Sequence, residues 1–232
     1  TGASPVARGL AVCSLLLAGC VGGASPPGKP ELVWGRQGLS AGRLMTPRAM
    51  AVDRQDQLYV VDMTGRIQVF TADGKYLRGW RTPESTNGKP TGLSFDRQGN
   101  LMVADTHYFR ILFYTPQGQL LDDQTIGGKY GFGPSEFTLV TDCAQDSQGN
   151  YYVSEYGEYD RIQKFAPERR FLFQWGGHGS QPDQFARPQD LAVDEHDYLW
   201  VADACNDRIQ VFDATGAEAK LLAIWGEQGT EP

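Results

Sequence analysis

The sequence predicts an all-β fold built from many short antiparallel strands, and three observations support this prediction. The first is composition: 28 glycines and 13 prolines accompany many aromatic residues, a mixture typical of short strands joined by turns. The second is alternation, since the run Arg-Ile-Gln-Val-Phe at 66–70 alternates as a strand with one buried face does. The third is self-similarity, because a segment of similar pattern occurs four times along the chain.

The repeated segment has the size of a propeller blade. Copies start near residues 47, 90, 140 and 188, so the unit recurs every 43, 50 and 48 residues. In each copy a turn beginning at an aspartate such as Asp53 precedes two β-prone runs, and a last strand is expected to end near Trp80, Trp175 or Trp225. Four strands in such a length form one blade. The prediction is therefore a β-propeller with four full blades of four antiparallel strands.

The clearest copy of the repeat identifies a family resemblance. Residues 188–194 read Pro-Gln-Asp-Leu-Ala-Val-Asp, and residues 202–212 read Ala-Asp-Ala-Cys-Asn-Asp-Arg-Ile-Gln-Val-Phe. This pattern resembles the NHL repeat, and the resemblance covers residues 32–232. It implies a ring that usually has six blades, so the chain is expected to be a C-terminally truncated six-bladed propeller. The run 32–35 matches 173–176 and is expected to be an outermost strand that precedes the first full blade.

The first 31 residues are expected to lie outside the propeller. Residues 1–19 carry one charged residue, Arg8, before a short apolar run, as a signal peptide does. The run Leu-Ala-Gly-Cys at 17–20 resembles the lipobox of bacterial lipoproteins, which implies cleavage before Cys20 and a lipid on it. An ordinary signal peptide with a chance cysteine is the alternative. Residues 20–31 then form a flexible tether, and Val21 after the cysteine favours the periplasmic side of the outer membrane or the cell surface.

The charge balance bears on the class of partner. The formal net charge is −7, and no run of lysines and arginines occurs. Nucleic acid is therefore not expected as a partner, because its phosphates are bound by a basic surface.

A carboxylate and an arginine recur in every copy of the repeat. Because they are common to all blades, they are expected to pair and to support the fold rather than to carry chemistry. The four expected structural pairs are Asp62 with Arg66, Asp105 with Arg110, Glu155 with Arg161, and Asp203 with Arg208.

Residues that differ between the copies are better candidates for a site. At the start of the innermost strand, which faces the channel, one blade carries Arg48, a candidate partner for an anionic group. Asp142 and Asp190 occupy this region in neighbouring blades and are expected to approach each other. Two carboxylates with carbonyls and waters would form a partial shell for Ca²⁺; the alternative is a solvated acidic rim.

A second group of candidates lies in the loops between the second and third strands. His107 and Tyr108 are in one such loop, and Tyr156 and Tyr159 are in the next. Clustered tyrosines are typical of binding surfaces, and they are also common in ordinary loop packing. Both interpretations remain open for these four residues.

No catalytic residue is predicted. One enzyme family with such repeats, the peptidyl-hydroxyglycine amidating lyases, has zinc-binding histidines after the proline that starts several blades. The positions here are Arg48, Thr91, Thr141 and Gln189, so the resemblance does not extend to a zinc site in these blades. Cys143 replaces a methionine or leucine of other repeats and is expected to be a buried apolar residue.

The resulting functional prediction is a binding scaffold anchored at the bacterial envelope by a lipid. Its partner would be a protein, a peptide or a glycan, and no cofactor other than the candidate Ca²⁺ is expected. The alternative is an enzyme, either a metal-dependent lyase or a lactone hydrolase with a cation in the channel. A third prospect is an envelope protein with a purely structural role.

Overall fold

The computed structural model describes residues 32–226 and contains sixteen β-strands in this range. No helix among these residues is long and apolar enough to cross a membrane. The strands are β1 Pro47–Val52, β2 Leu58–Asp62, β3 Arg66–Phe70, β4 Tyr76–Arg81, β5 Gly92–Phe95, β6 Leu101–Asp105, β7 Arg110–Tyr114, β8 Ile126–Gly127, β9 Leu139–Gln145, β10 Tyr151–Tyr156, β11 Arg161–Phe165, β12 Phe171–Gly176, β13 Pro188–Val193, β14 Tyr198–Asp203, β15 Arg208–Asp213 and β16 Lys220–Trp225.

The strands form four antiparallel sheets of four strands each, in chain order: β1–β4, β5–β8, β9–β12 and β13–β16. We number these sheets blades 1 to 4. The first strand of each blade contacts the first strand of the next, which makes β1, β5, β9 and β13 the innermost strands. This is the predicted all-β propeller architecture of four-stranded blades, and the prediction is confirmed.

The turn between the first two strands is closed by an aspartate, as its sequence indicates. In blade 3, Asp146 Oδ1 accepts hydrogen bonds from the backbone N–H groups of Gln148 (3.0 Å) and Asn150 (2.8 Å). In blade 4, Asp194 accepts the equivalent bonds from His196 and Tyr198. Because the aspartate satisfies backbone donors within its own turn, this hairpin is specified locally.

The hydrophobic core lies between the blades rather than inside any one of them. Separate clusters join blades 1 and 2, blades 2 and 3, and blades 3 and 4. Tyr152 and Ile162 of blade 3 pack with Leu199 and Phe212 of blade 4, and all four side chains are fully buried. Each blade therefore needs a neighbour on both faces to bury its apolar side chains.

An aromatic contact repeats between successive blades. A tryptophan packs on the aromatic residue that ends the third strand of the following blade. The ring centroids are 5.0 Å apart for Trp34 and Phe70, 5.7 Å for Trp80 and Tyr114, and 5.7 Å for Trp175 and Phe212.

The expected outermost strand at 32–35 does not form, although Trp34 makes the expected aromatic contact. Residues 32–36 have no strand structure. The physical reason is that a β-strand needs a hydrogen-bonded neighbour, and no third strand of a preceding blade is present among residues 32–226.

Several predictions concern residues outside the described range. The signal peptide at 1–19, the lipidated Cys20 and the whole tether at 20–31 lie there, and so do residues 227–232. The described chain contains four blades, and the six-bladed ring stays a prediction.

Candidate ligand-binding site at the channel mouth

The four repeated carboxylate–arginine pairs form ion pairs between the second and third strands. Each carboxylate is fully buried, and each arginine donates to it across the loop. The nitrogen–oxygen distances are 2.7 Å for Arg66 and Asp62, 2.9 Å for Arg110 and Asp105, 2.5 Å for Arg161 and Glu155, and 2.8 Å for Arg208 and Asp203.

All four arginines also bind the loop that enters their blade, and three of them do so through carbonyl oxygens. Arg161 donates to the carbonyl oxygens of Phe132 (2.6 Å) and Glu136 (2.9 Å), and Arg66 and Arg208 donate to the corresponding loops. Arg110 in blade 2 instead donates to the carboxylate of Glu84, at 2.7 Å. Since their donors are used internally, these arginines hold the scaffold together.

A polar depression of about 150 Å³ lies at the mouth of the channel. Side chains from all four blades meet there, because the innermost strands start at this end and the loops between second and third strands border it. We call this depression the channel mouth. Its lining residues are Arg48, Thr91, Thr106, His107, Tyr156, Arg187 and Gln189.

Two arginines of the channel mouth differ from the four structural ones. Arg48 and Arg187 are both exposed, and neither forms an ion pair with a carboxylate of residues 32–226. Arg187 stacks over the Tyr156 ring, with its guanidinium 4.9 Å from the centroid, and donates to Gln189. The backbone of Arg187 has φ +61° directly before Pro188, a conformation that is rarely adopted at such a position.

His107, in the loop between β6 and β7 of blade 2, lines the channel mouth together with these two arginines. Burial lowers its pKa, and the positive charges of Arg48 and Lys89 lower it further. The imidazole is therefore neutral at neutral pH, and its buried Nδ1 has no hydrogen-bond partner among the described residues. Gly88 covers the ring so closely that a β-carbon there would lie 2.1 Å from it.

The other predicted loop residues occupy separate places. Tyr156 is at the channel mouth, whereas Tyr108 lines a neighbouring depression, where its hydroxyl accepts a hydrogen bond from the Asn87 N–H (3.0 Å). Tyr159 is further out on the same face and covers the Arg161 guanidinium at 4.9 Å. The structure thus brings together Arg48, His107 and Tyr156 of the predicted loop and channel residues.

Asp142 and Asp190 form a second cluster in the channel. Asp142 is buried and accepts a hydrogen bond from the Leu191 N–H (3.0 Å), while Asp190 is exposed. Burial raises the pKa of Asp142 well above its ordinary value, and the negative charge of Asp190 raises it further. Burial and the neighbouring Asp190 thus both disfavour the charged form of Asp142.

The donor groups in the channel do not match a zinc site. Arg48, Thr91 and Gln189 stand at the positions considered for zinc ligands. The fourth residue, Thr141, donates a hydrogen bond to the Pro188 carbonyl oxygen (2.7 Å) and shares another with the Ser154 hydroxyl (2.7 Å). No group of three or more His, Cys, Asp or Glu side chains within residues 32–226 is arranged to hold a metal ion. Ca²⁺ at Asp142 and Asp190 would need its other ligands from carbonyls and water.

Two features of this face are not among the residues predicted from sequence. The first is Arg187, which precedes the proline of blade 4; its difference from Thr46, Lys89 and Leu139 at the same position of the other blades is the signal that distinguishes it. The second feature is a row of aromatic rings that includes Phe109 and Tyr130. Its members come from different blades and loops, so no local pattern in the sequence indicates it.

Comparisons with known proteins agree with this architecture. A family model described as NHL repeat matches residues 185–212. The chain is 28% identical to human NHL repeat-containing protein 3 over 80% of its own length and 56% of the relative. It is 30% identical to the peptidylglycine alpha-amidating monooxygenase of Rattus norvegicus over 85% of its own length and 21% of the relative. The chain thus spans about half of the first relative and about a fifth of the second.

Solved structures show the same fold at low sequence identity. A streptogramin B lyase matches with a TM-score of 0.60 and 13% identity, over 82% of this chain and 57% of the other. The periplasmic gluconolactonase PpgL of Pseudomonas aeruginosa matches with a TM-score of 0.59 and 16% identity, over 84% and 59%. The chain thus carries an NHL repeat at residues 185–212 and has NHL-repeat relatives, and its four blades are built on four repeats in register.

Proposed function

We propose that this chain is a binding scaffold whose channel mouth holds the carboxylate of a peptide ligand. The observation that carries the proposal is the pair Arg48 and Arg187, two exposed arginines that make no ion pair within residues 32–226. The structural arginines of all four blades do make one. In a chain of net charge −7, a mouth with two unpaired cations attracts an anion.

The chemistry of the channel mouth suits a carboxylate. Arginine presents planar donors that match the two oxygens of a carboxylate. The neutral His107 and the side chains of Thr91 and Gln189 add uncharged hydrogen-bonding groups to the same wall. These groups would orient the ligand, whereas the arginines would supply most of the affinity.

A peptide is favoured over a glycan or a free small acid by the relatives of the chain. Several of them are named for acting on peptidylglycine or peptidyl-alpha-hydroxyglycine, and a peptidylglycine ends in a free carboxylate. That activity belongs to those proteins. For this chain we carry over only the class of ligand, a peptide with an anionic end.

The test compares a fluorescent peptide that ends in a free carboxylate with its carboxamide form. We expect the acid to bind at least about tenfold more tightly, since a charge-assisted hydrogen bond contributes about 1.5–3 kcal/mol. Arg48→Gln and Arg187→Gln should each remove most of this difference. Arg97→Gln, an exposed arginine in the β5–β6 turn, is the matched control. Equal binding of acid and amide would refute the proposal.

The same proposal places the scaffold at the bacterial envelope, on the periplasmic side of the outer membrane or at the cell surface, through a lipid on Cys20. The support is the run Leu-Ala-Gly-Cys at 17–20 after a short apolar segment. Cells fed an alkyne-bearing fatty acid should label the wild-type protein, and Cys20→Ser should abolish the label. Labelling that persists in Cys20→Ser would contradict the lipid anchor.

The second candidate is a lyase or lactone hydrolase that uses a cation in the channel. The Asp142–Asp190 pair favours it, together with the fold shared with a streptogramin B lyase and a gluconolactonase. Because burial and Asp190 raise the pKa of Asp142, a cation would compete with a proton for this carboxylate, so Ca²⁺ affinity should rise with pH. Calorimetry that finds no Ca²⁺ binding at pH 8 would remove this support.

A further inference from the structure

A larger depression of about 490 Å³ adjoins the channel mouth. It lies over the loop between β6 and β7, and His107 belongs to the walls of both depressions. We call it the side pocket. A ligand held at the channel mouth can therefore extend into the side pocket past a single shared side chain.

The side pocket is mainly apolar, and its charged residues neutralise each other. Tyr108, Phe109 and Leu139 contribute ring and aliphatic surface. Arg110 and Glu84 are also in the wall, but they pair with each other at 2.7 Å. An apolar group can enter the pocket without leaving either charge unpaired, whereas a further charged group would find no free counterion.

The backbone at Phe109 is strained in a way that the equivalent residue of blade 4 avoids. Phe109 has φ +58° in the left-handed region, and Asp207, at the same position of the repeat, has φ +53°. Aspartate adopts this conformation readily, whereas a bulky residue does so at a cost. Phenylalanine is therefore not the residue that the backbone favours there. Its ring packs partly against the core between blades 2 and 3, and the ring also forms part of the side-pocket wall.

The ring of Phe109 begins a row of partly exposed aromatic side chains on the same face. We call these four rings the aromatic row. Consecutive centroids are 5.3 Å apart for Phe109 and Tyr130, 6.0 Å for Tyr130 and Phe132, and 6.2 Å for Phe132 and Tyr159. The outer three are 38–48% exposed. Clustered exposed aromatic side chains are characteristic of surfaces that bind peptides and proteins.

We propose that the side pocket and the aromatic row bind a large apolar or aromatic side chain of the peptide whose carboxylate occupies the channel mouth. This inference rests on the proposed function and adds the kind of peptide that is bound. The occupant follows from the position of the two depressions, which share His107 in their walls. A peptide whose carboxylate is bound by the arginines would place its neighbouring residues over the side pocket.

The experiment uses short peptides with a free carboxylate, in which phenylalanine or alanine is placed in turn at each of the last four positions. We expect one position near the carboxylate at which phenylalanine binds about tenfold more tightly than alanine, as partial burial of the ring would give. Phe109→Asn should remove this preference and leave the acid-over-amide difference unchanged. Asparagine tolerates the left-handed backbone, and an unchanged acid-over-amide difference shows that the variant folds although the ring no longer packs on the core. Asp207→Asn is the control at the same repeat position of blade 4.

Two results would overturn the inference while leaving the proposed function intact: carboxylate-dependent binding without any preference for phenylalanine, or a preference that survives Phe109→Asn. Loss of the preference in Asp207→Asn as well would also overturn it. Maltotriose that binds wild type but not Phe109→Asn would assign the aromatic row to a glycan instead. If acid and amide peptides bind equally, the proposed function itself fails, which distinguishes the two failures.

Discussion

Buried carboxylates at the same position of the repeat differ in the hydrogen bonds that they receive, and therefore in their pKa values. Burial raises the pKa of Asp62, but hydrogen bonds from Thr64 and Arg66 outweigh it and the net shift is downward. Burial raises the pKa of Asp105 to about 6, because Arg110 offsets only part of the cost and Oδ1 has no partner among the described residues. The local donors, not the residue type, decide the charge state of each carboxylate.

At the residue scale we predict that Asp142→Asn stabilises the protein at neutral pH. The pKa of Asp142 is raised in the folded state above its ordinary value of 3.8, so the folded state binds more protons above about pH 4. The free energy of unfolding therefore falls as pH rises from about 4 to the folded-state pKa. An asparagine at this position has no charge to bury. The free energy of unfolding of Asp142→Asn should therefore exceed that of the wild type by about 1–3 kcal/mol at pH 7.

Urea unfolding of wild type and Asp142→Asn between pH 4 and 8 measures this difference. The two curves should converge near pH 4 and separate as pH rises. Glu218→Gln, which removes one exposed carboxylate, is the control and should follow the wild type. A constant separation at every pH would mean that the proton on the pair contributes nothing to stability.

At the scale of elements, the third strand of a blade fastens the loop that enters that blade. Arg161 is fully buried and connects Glu155 to carbonyl oxygens of the loop before β9. Arg110 is about a fifth exposed and contacts the exposed Glu84. The two arginines have the same place in the repeat, but Arg161 binds carbonyl oxygens of its loop while fully buried, whereas Arg110 contacts its loop only through the exposed side chain of Glu84.

We therefore predict that Arg161→Met destabilises the protein far more than Arg110→Met. Arg161→Met leaves Glu155 buried without a counterion, which costs about 3–5 kcal/mol. Arg110→Met should cost about 1–2 kcal/mol, because Asp105, with its raised pKa, can take up a proton instead. Urea unfolding at pH 6 measures both values, and losses of similar size would show that the loop contacts of Arg161 add no stability.

The strands are predictable from sequence where turn residues and an alternating apolar pattern coincide. The last strand of a blade is harder to predict where no tryptophan marks its end. Blades 1, 3 and 4 end their last strands at or next to Trp80, Trp175 and Trp225, as predicted. Blade 2 has no tryptophan there; its fourth strand has only two residues, after a short 3₁₀ turn at Asp122–Gln124. Short pairings of this kind depend on the neighbouring strand, which the local sequence does not contain.

In the whole molecule, blade 4 exposes one of its sheet faces, whereas the equivalent face of blade 3 is buried against blade 4. Tyr152 and Ile162 of blade 3 are fully buried against blade 4. Trp200 and Ile209, the corresponding residues of blade 4, are partly exposed, and Trp225 is 56% exposed. An apolar sheet face of this kind tends to associate with another surface.

Blade 1 presents the complementary face. Met50 is 68% exposed, whereas Leu191, its counterpart in blade 4, is 7% exposed because it packs towards blade 3. The two open faces of the described blades thus correspond to the two sides of one blade-to-blade contact. A second copy of the chain can pair with the first through these faces, in a head-to-tail manner.

We predict that the 232-residue chain associates in a concentration-dependent way through these faces. Met50→Glu or Trp225→Glu should each shift the protein towards the monomer, since either charge would be buried in the contact. Light scattering after size-exclusion chromatography at several concentrations measures this. Phe132→Glu, at an exposed ring of the aromatic row, is the control and should associate as the wild type does.

Turn aspartates, alternating runs and a fourfold repeat are local signals in the sequence, and they predict the hairpins from which the blades are built. Arg48, His107 and Tyr156 are candidates on the same basis, because they depart from the other copies of the repeat. The meeting of these residues with Arg187 at one mouth, and the row of rings that begins at Phe109, depend instead on tertiary packing. Those groups come from different blades, and their distances depend on how the sheets pack together, which no single repeat encodes.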